Sequence, residues 1–415
     1  MRSLAFVMAL MASGAAWSAN TVFKNVTIYD GVNEAYTGDI YLVDGIVKAI
    51  GAGINPVDAT VIDGTGKSVT PGFFNGYTYM GLVEVSAIEG TSDYSSENEM
   101  FTASHRAADA VNPHTVAIPY NRALGLSRAL TLPVNEKSIF AGQAAVVQMR
   151  ADKAVLKSAV AQVVHLGQHG KKVAGGSRAN ALHMFELALQ ESADYAANRA
   201  AVKRGEYRDL HFSMADLEAL HPVLTGEQHV VISVDRAADI DRVLDMVSKY
   251  KLRAILLGAQ EAWRVADRLA AMNVPVIIDP INNLPMGYDS LGARLDAAAL
   301  LERAGVPMIF FGMGFGAAPH NAAMVKQSAA NAVTHGLSER AAMAALTSTP
   351  ANVFGLNHGL SVGNPADLVL WNGHPLEAMS LPERVFVAGE EFSLEHRASR
   401  LADRYYQSIR ASLAN

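Results

Sequence analysis

The chain of 415 residues contains no cysteine, which excludes disulfide bonds, thiolate metal sites and cysteine nucleophiles. Charged residues make up only 18% of the chain, and the net charge of -6 argues against nucleic acid or an anionic lipid surface as a main partner. No glycine-rich phosphate-binding loop is present. Any metal chemistry would therefore depend on the 13 histidines and on the carboxylates.

Long apolar runs are also missing, apart from one near the start of the chain. Residues 1–18 carry Arg2, then the apolar stretch 4–16, then the small-x-small site Ala16-Trp17-Ser18. This order predicts a secretory signal peptide, and the apolar stretch is too short to span a bilayer comfortably. A buried N-terminal helix and a membrane anchor are the alternatives. We expect an exported protein, periplasmic or extracellular, with no membrane attachment after cleavage.

Strand-like patterns occur at both ends of the chain. Segment 19–70 alternates apolar and polar residues between Asp-Gly turns, and segment 356–396 has the same character. Two such segments around a long middle predict one composite β-domain, a small β-sandwich, rather than two separate hairpins. Residues 397–415 are predicted to form a C-terminal helix.

The middle segment, 71–355, alternates short apolar strands with amphipathic helices. HVVISV (229–234), RAILLG (253–258), VPVIID (274–279) and VPMIFFG (306–312) are each followed by a helical pattern. This alternation indicates βα units of a parallel sheet, whose strands are buried on both faces. The periodicity alone leaves open a closed (β/α)8 barrel or an open doubly wound sheet.

Three motifs resemble one family. PGFFNGYTYM (71–80), IFAGQAAVVQM (139–149) and GNPADLV (363–369) are similar to segments of the amidohydrolase superfamily, close to its imidazolonepropionase-like branch. The helical stretch 179–207 resembles an insertion helix of the same branch. The resemblance covers nearly all of the mature chain and implies an α/β fold. That fold is a (β/α)8 TIM barrel of the amidohydrolase type with a small composite β-sandwich domain.

The resemblance also implies where a catalytic metal would bind. In the family the first barrel strand ends in a His-x-His pair, but this chain has Tyr77 and Tyr79 there. The fifth-strand histidine falls on Ser233, the sixth-strand histidine near Gly258 and the last-strand aspartate on Gly314. A neutral phenol with a pKa of about 10 is a poor zinc ligand beside imidazole. We therefore expect these five positions to form a pocket without metal or another cofactor.

Other polar residues near the strand ends are weaker candidates. Asp235 and Asp279 are expected at the barrel mouth and are weak candidates for catalytic acids or bases. For Asp235, an ion pair with the following Arg236 that orders the βα loop is the favoured explanation. His320 follows the last strand and is a candidate ligand contact or a helix N-terminal residue. His165 and His169 have the spacing of one helical face, but we expect a solvated helix end there rather than a metal site.

Two functions follow from this pattern. The favoured hypothesis is a catalytically degenerate member that binds a small molecule or pairs with an active paralogue. The alternative is an exported hydrolase of non-peptide or cyclic amide carbon–nitrogen bonds that uses a relocated or absent metal, with zinc expected only in that case. Homodimers are common in the resembling family, which leaves a homodimer open by analogy.

Overall fold

The computed structural model describes residues 20–413 except 86–87, 283–284, 286 and 313–317. The predicted signal peptide, residues 1–18, and the predicted pocket residue Gly314 lie outside this range. Within it, the structure contains no helix with the length and apolarity needed to cross a membrane.

The strands and helices of the described residues are numbered in chain order. The strands are β1 (Thr21–Ile28), β2 (Tyr36–Val43), β3 (Ile46–Gly51), β4 (Thr60–Asp63), β5 (Ser68–Pro71), β6 (Phe73–Thr78), β7 (Ser95–Ser96), β8 (Leu126–Thr131), β9 (Val134–Asn135), β10 (Phe140–Gln148), β11 (Val155–His165), β12 (His229–Val234), β13 (Ala254–Gly258), β14 (Val276–Ile278), β15 (Met308–Phe310), β16 (Leu368–Trp371), β17 (Pro382–Val387) and β18 (Glu390–Phe392). The helices are α1 (Ala117–Ala123), α2 (Gln168–Val173), α3 (Arg178–Lys203), α4 (Met214–Leu224), α5 (Ala237–Tyr250), α6 (Ala266–Ala271), α7 (Ala297–Ala304), α8 (Val325–Thr334), α9 (Glu339–Leu346), α10 (Ser348–Phe354) and α11 (Arg397–Leu413).

The middle of the chain forms a nearly closed barrel sheet. Its eight strands follow the order β15-β14-β13-β12-β11-β10-β8-β6, and β15 returns to the side of β6. A methyl group at Gly76 of β6 would lie 2.7 Å from Ile309 of β15, which shows how closely the two ends approach. The predicted α/β barrel is therefore confirmed, and the open doubly wound alternative is wrong.

One strand departs from the all-parallel pattern. β10 runs antiparallel to both of its neighbours, β8 and β11, while the remaining pairs in this sheet are parallel. The connections 132–139 and 149–154 are too short for a crossover, which needs about a dozen residues or more. A hairpin therefore replaces one βα unit at this place.

Side-chain alternation separates the inside of the barrel from its outer surface. Val231 belongs to the cluster that fills the barrel, whereas Val230 and Ile232 on the same strand pack against the outer helices. The outer helices bury apolar stripes in return, as in α5 with Ile240, Val243 and other members spaced three and four residues apart. Each of the eight strands contributes to the inner cluster: Phe74, Leu130, Ala144, Val146, Ala161, Val163, Val231, Ile255, Leu257, Ile277 and Ile309.

A second eight-stranded sheet combines strands from both ends of the chain. Its order is β18-β17-β16-β5-β1-β2-β3, with β4 also paired to β1. It encloses a separate apolar core that includes Phe23, Ile40 and Phe386. The first residue of β3 reaches segment 363–366 through an antiparallel bridge between Ile46 and Pro365. We propose that 19–70 and 356–396 form one domain beside the barrel segment 71–355.

Candidate functional site

The carboxyl ends of the parallel barrel strands bring several polar side chains to one end of the barrel. Alternate residues of a strand point to the same side, so the inward positions of β11 and β12 continue to His165 and to Ser233 and Asp235. Asp279 follows β14 with the same parity, and Tyr77 and Tyr79 stand at the end of β6. We call these six residues the mouth: Tyr77, Tyr79, His165, Ser233, Asp235 and Asp279.

The two tyrosines of the mouth bind each other. Their hydroxyl oxygens lie 2.9 Å apart in a hydrogen bond, and their rings meet edge to face at 5.7 Å. A register shift between Asn75 and Thr78 interrupts the pairing of β6 with β8, and the side-chain oxygen of Asn75 accepts a hydrogen bond from the amide of Tyr77 at 3.0 Å. This local irregularity places both rings on one side of the strand end.

Further aromatic rings extend this pair. Tyr94 stacks on Tyr79 at a centroid distance of 4.1 Å, and Phe311 meets Tyr77 edge to face at 5.4 Å. Burial raises the pKa of the Tyr77 phenol and that of the Tyr79 phenol, and for Tyr79 the neighbouring Tyr77 adds to the increase. Both hydroxyls therefore stay protonated at neutral pH, as neutral hydrogen-bonding groups.

His165 ends β11 and lies beside Ser233, its register partner on β12. Its Nε2 atom is shielded from solvent and has no hydrogen-bond partner among the described residues. Burial, followed by the nearby His169 ring at 4.9 Å, lowers the pKa of His165 to about 3. The expected solvated helix end is therefore wrong, because the chain is still a strand at residue 165 and α2 begins only at Gln168.

His169 connects this part of the mouth to the aromatic rings. Its Nε2 lies 2.8 Å from the carbonyl oxygen of Asn135, in the short strand β9. β9 pairs with β7, and the amide of Val134 donates to the carbonyl of Tyr94 at 2.8 Å. These contacts hold loop 88–101 on the same side of the barrel end as His165 and His169.

Asp235 follows β12 and is partly buried. Burial raises its pKa to about 6, and the negative charges of Asp289 and Glu261 act in the same direction. Its strongest described contact is weak, a 3.4 Å hydrogen bond accepted from the amide of Gln260. The expected ion pair with Arg236 is not formed, because the Arg236 guanidinium instead binds Asp239 at 2.6 Å.

Gly258 lies against this carboxylate. Its backbone has φ +87°, and a Cβ atom built there would lie 2.5 Å from Asp235 Oδ1. Any side chain at this position would carry backbone strain and collide with the aspartate. The position can therefore hold no ligating side chain while Asp235 keeps this orientation.

Two further carboxylates differ in their surroundings. Asp279 is buried and accepts a hydrogen bond from the amide of Ile281 at 3.2 Å. Asp289 forms an ion pair with Arg178, which also contacts Asp239 at 3.1 Å. The region around Asp235 is consequently acidic but partly neutralised by one arginine.

The remaining predicted contact, His320, is half-buried in the 3-10 turn Pro319–Met324. This turn is anchored to β6, because the side-chain amide of Asn75 donates to the carbonyl of Ala322 at 2.8 Å. His320 itself makes no hydrogen bond or ion pair within the part of the chain that is described. Its role as a ligand contact stays a prediction.

Three residues of this site were missed by sequence reasoning. Tyr94 and Asp289 lie in loops whose path no periodicity reveals. His165 had a usable signal, since an apolar run ending in a polar residue is typical of a buried strand that reaches a barrel rim. In the described residues, no group of three or more histidine, aspartate or glutamate side chains is arranged to hold a metal ion.

Comparison with known proteins gives the family. The model of the protein family described as "Amidohydrolase family" matches residues 181–392 of this chain. The amidohydrolase tasK of Hapsidospora irregularis is 21% identical over 392 residues, which cover 85% of this chain and 40% of that protein. A dihydroorotase of Thermoanaerobacter sp. (strain X514) is 44% identical over 59 residues, 14% of each chain. The chain thus spans less than half the length of these curated relatives.

Solved structures agree on the fold. An amidohydrolase from Thermotoga maritima MSB8 superposes with a TM-score of 0.79 at 24% identity, covering 90% of this chain and 99% of that chain. Molinate hydrolase superposes with a TM-score of 0.53 at 14% identity, covering 91% of this chain and 95% of the other. The superfamily predicted from the motifs is confirmed.

Proposed function

Because the chain belongs to the amidohydrolase family, we propose that it binds a small molecule at the mouth of its barrel and has lost the metal-dependent hydrolysis of its relatives. The observation that carries this proposal is the direct hydrogen bond between the Tyr77 and Tyr79 hydroxyls at 2.9 Å. At the end of the first barrel strand, these two side chains therefore use their hydroxyl groups to bind each other. We also propose that the chain belongs to the imidazolonepropionase-like branch of the superfamily, and this proposal rests on the motifs alone.

The donor set of the mouth does not fit a divalent cation. A phenol must lose its proton to become a strong ligand, and the pKa of each tyrosine is raised rather than lowered. Ser233 offers only a neutral hydroxyl, and Gly258 offers no side chain. Asp235, Asp279 and the imidazole of His165 remain, but no three of the described histidine and carboxylate side chains are arranged to hold one ion.

The same groups suit a polar organic ligand. The phenols and the neutral His165 provide hydrogen-bond donors and acceptors, and the rings of Tyr79 and Tyr94 provide flat apolar surface. The carboxylates of Asp235, Asp279 and Asp289 disfavour an anion at this end of the barrel. A neutral or cationic small molecule is therefore the ligand class that the mouth supports.

Metal analysis of protein purified with added zinc tests the central claim. We expect well below one ion per chain, and about one tightly bound ion per chain would overturn the proposal. The double variant Tyr77→His/Tyr79→His is the matched test of location. It restores the family's first ligand pair but no others, so it should still bind no stoichiometric zinc.

Ligand binding is tested by thermal shift with a panel of neutral, cationic and anionic small molecules. A ligand present at 100 times its Kd should stabilise the protein by about 2.7 kcal/mol. Asp235→Ala should abolish the shift, whereas Asp267→Ala, on the outer helix α6, should retain it. Equal shifts in both variants would place the ligand elsewhere.

A hydrolase without the usual metal is the second candidate, and the pKa of Asp235 favours it. A carboxylate with a pKa of about 6 is suited to act as a general base near neutral pH. Dihydrouracil, the neutral ring of dihydroorotate, is a suitable cyclic amide probe, because one relative is named dihydroorotase and the mouth disfavours anions. Under this candidate, metal-depleted protein hydrolyses the probe, and Asp235→Asn lowers kcat by about a hundredfold or more. The favoured proposal expects no turnover in either protein.

Export and pairing with an active paralogue are proposals supported by the sequence alone. Residues 1–18 support export, and the replaced family positions support a partner role. Fractionation of the producing cells, followed by co-purification from the exported fraction, tests both. Protein retained in the cytoplasm would contradict export, and elution without any second chain would contradict the paralogue proposal.

A further inference from the structure

Helix α11 presents apolar side chains to solvent. Tyr405, Tyr406 and Ile409 are 61%, 58% and 54% exposed, although large apolar side chains on a helix normally face a core. They are spaced one, three and four residues apart, which puts them on one face of the helix. We call these three residues, with Arg404 and Arg410, the C-terminal helix surface.

This surface is strongly basic. The helix contains four arginines, at positions 397, 400, 404 and 410, against the single acid Asp403. Arg404 has no ion pair within the described residues, and the Arg410 guanidinium lies 4.7 Å from the centre of the Tyr406 ring. The charge is unusual in a chain whose net charge is -6.

Loop 88–101 has the complementary character. Ile88, Met100 and Phe101 are 52%, 64% and 50% exposed, again without an apolar cover. Among them stand four acids and no lysine or arginine: Glu89, Asp93, Glu97 and Glu99. Only Glu97 approaches a cation, Lys137 at 3.9 Å, so most of this charge is unpaired within the described chain. We call residues 88–101 the acidic loop.

We propose that two copies of this chain form a dimer in which the C-terminal helix surface of one copy packs on the acidic loop of the other. Both surfaces combine exposed apolar side chains with charge of opposite sign, which is the complementarity that a specific interface needs. The contact goes beyond the proposed function. Tyr94 belongs to the acidic loop and stacks on Tyr79, so the partner's helix lies at the rim of the mouth.

Symmetry doubles the area of such a contact. In a two-fold dimer the contact of helix with loop occurs twice, because each copy provides both surfaces. A stable interface buries about 1,200–2,000 Å², and the two contacts share that area between them. A basic amphipathic helix also suits an anionic bilayer. A second copy is favoured because the same chain carries the matching acidic surface and its net negative charge opposes such a bilayer.

Sedimentation velocity of the purified full chain over a range of concentrations tests the proposal. We expect a reversible dimer, and Arg404→Glu/Arg410→Glu should weaken its Kd by about tenfold or more. Glu97→Lys/Glu99→Lys should weaken it similarly. The four changes combined should restore most of the affinity, since the charges are then exchanged across the interface. Met379→Glu, which alters an apolar side chain 87% exposed elsewhere, should leave the Kd unchanged.

Three results would overturn the proposal. The first is a monomer at all concentrations, and the second is a dimer that neither charge reversal weakens. The third is failure of the combined variant to dimerise although each variant keeps the circular dichroism spectrum and Tm of the parent. Binding of the monomer to phosphatidylglycerol vesicles, without dimer in solution, would assign the helix to a membrane surface and likewise reject the proposed partner.

Discussion

The polar residues at the two ends of the barrel differ in how completely they are hydrogen-bonded or ion-paired. At the end where the strands begin, Arg128 binds Asp367 at 2.5 Å and Lys157 donates to the carbonyls of Phe354 and Gly355 at 2.9 and 2.7 Å. At the mouth, by contrast, Asp235 accepts one long hydrogen bond and His165 Nε2 accepts none within the described residues.

The end of the barrel where the strands begin also has open space around it. Grooves of about 540, 620 and 550 Å³ surround the beginning of the strands, where residues such as Lys157, His229 and Arg253 line them. His229 and Arg253, however, are bound to backbone carbonyls and to each other. The side chains of His229 and Arg253 thus join the barrel to its neighbours, although Arg128 Nε and Asp367 Oδ1 at the same end also have no hydrogen-bond partner among the described residues. We propose that the polar groups of the mouth serve a ligand instead. This matches the general separation of stability and function in such barrels.

The largest expected effect on stability concerns the end of the barrel where the strands begin. Arg128→Ala leaves the buried Asp367 carboxylate without its cation, and we expect a loss of about 3–5 kcal/mol in the free energy of unfolding. Urea denaturation measures this loss. Arg242→Ala, which breaks an exposed 3.8 Å ion pair on α5, should cost less than about 1 kcal/mol. Equal losses would remove the distinction between the two ends. Adding Asp367→Asn to the Arg128 variant should recover part of the stability.

The next effect lies at the mouth. Gly258→Ala combines a left-handed backbone with a contact of 2.5 Å to Asp235 Oδ1, and should destabilise the protein by about 2–4 kcal/mol. Gly305 has a similar φ of +81° but open space around it, so Gly305→Ala should cost only about 1–2 kcal/mol. Asp235→Ala in the Gly258 variant should relieve the collision. If it brings no recovery, the measured cost of Gly258→Ala is backbone strain alone.

Dependence on pH sharpens the comparison further. The pKa of Asp235 is raised from 3.8 to about 6 in the folded protein, so the folded state binds its proton more tightly than the unfolded state. The contribution of Asp235 to stability is therefore present below pH 4 and is lost as the pH rises to about 6. Above pH 6, Asp235→Asn should be more stable than the parent by about 1–2 kcal/mol. Urea denaturation of both proteins from pH 4 to 8 measures this difference, and parallel curves would contradict it.

The smallest effect tests the tyrosine pair. Tyr79→Phe removes one partner of the hydrogen bond between the hydroxyls and should lower the free energy of unfolding by about 1 kcal/mol. With Tyr77→Phe and the double variant, a double-mutant cycle gives the coupling energy. Tyr288→Phe, at a residue 86% exposed, should have no effect. A coupling energy of zero would mean that the two hydroxyls do not stabilise each other in solution.

Sequence reasoning reached the barrel because its signals are local. Buried strands are continuous apolar runs and the helices between them have one apolar face, as in α5, so both could be recognised. The antiparallel course of β10 was missed, although the short connections 132–139 and 149–154 contained that information. The positions of Tyr77, Tyr79, Ser233 and Asp235 at strand ends followed from motif matches.

The partners of these residues could not be predicted in the same way. The stacking of Tyr94 on Tyr79 and the closeness of Asp289 to Asp235 join segments far apart in the chain. The burial of His165 depends on how the strand ends pack around it, and the choice of Asp239 over Asp235 by Arg236 depends on the turn into α5. These contacts form when the barrel closes and brings distant segments together, so the periodicity of the sequence does not predict them.

The amino-acid order by itself indicated the buried strands and amphipathic helices of the barrel, the family, and the position of Tyr77 and Tyr79 at the end of the first barrel strand. Only the tertiary structure decided that these phenols bind each other, that His165 is kept neutral by burial, and that Asp235 stands beside a glycine that tolerates no side chain. The reason is physical. Secondary structure follows from neighbours a few residues apart, whereas pKa values and unpaired polar atoms depend on which distant side chains exclude water from them.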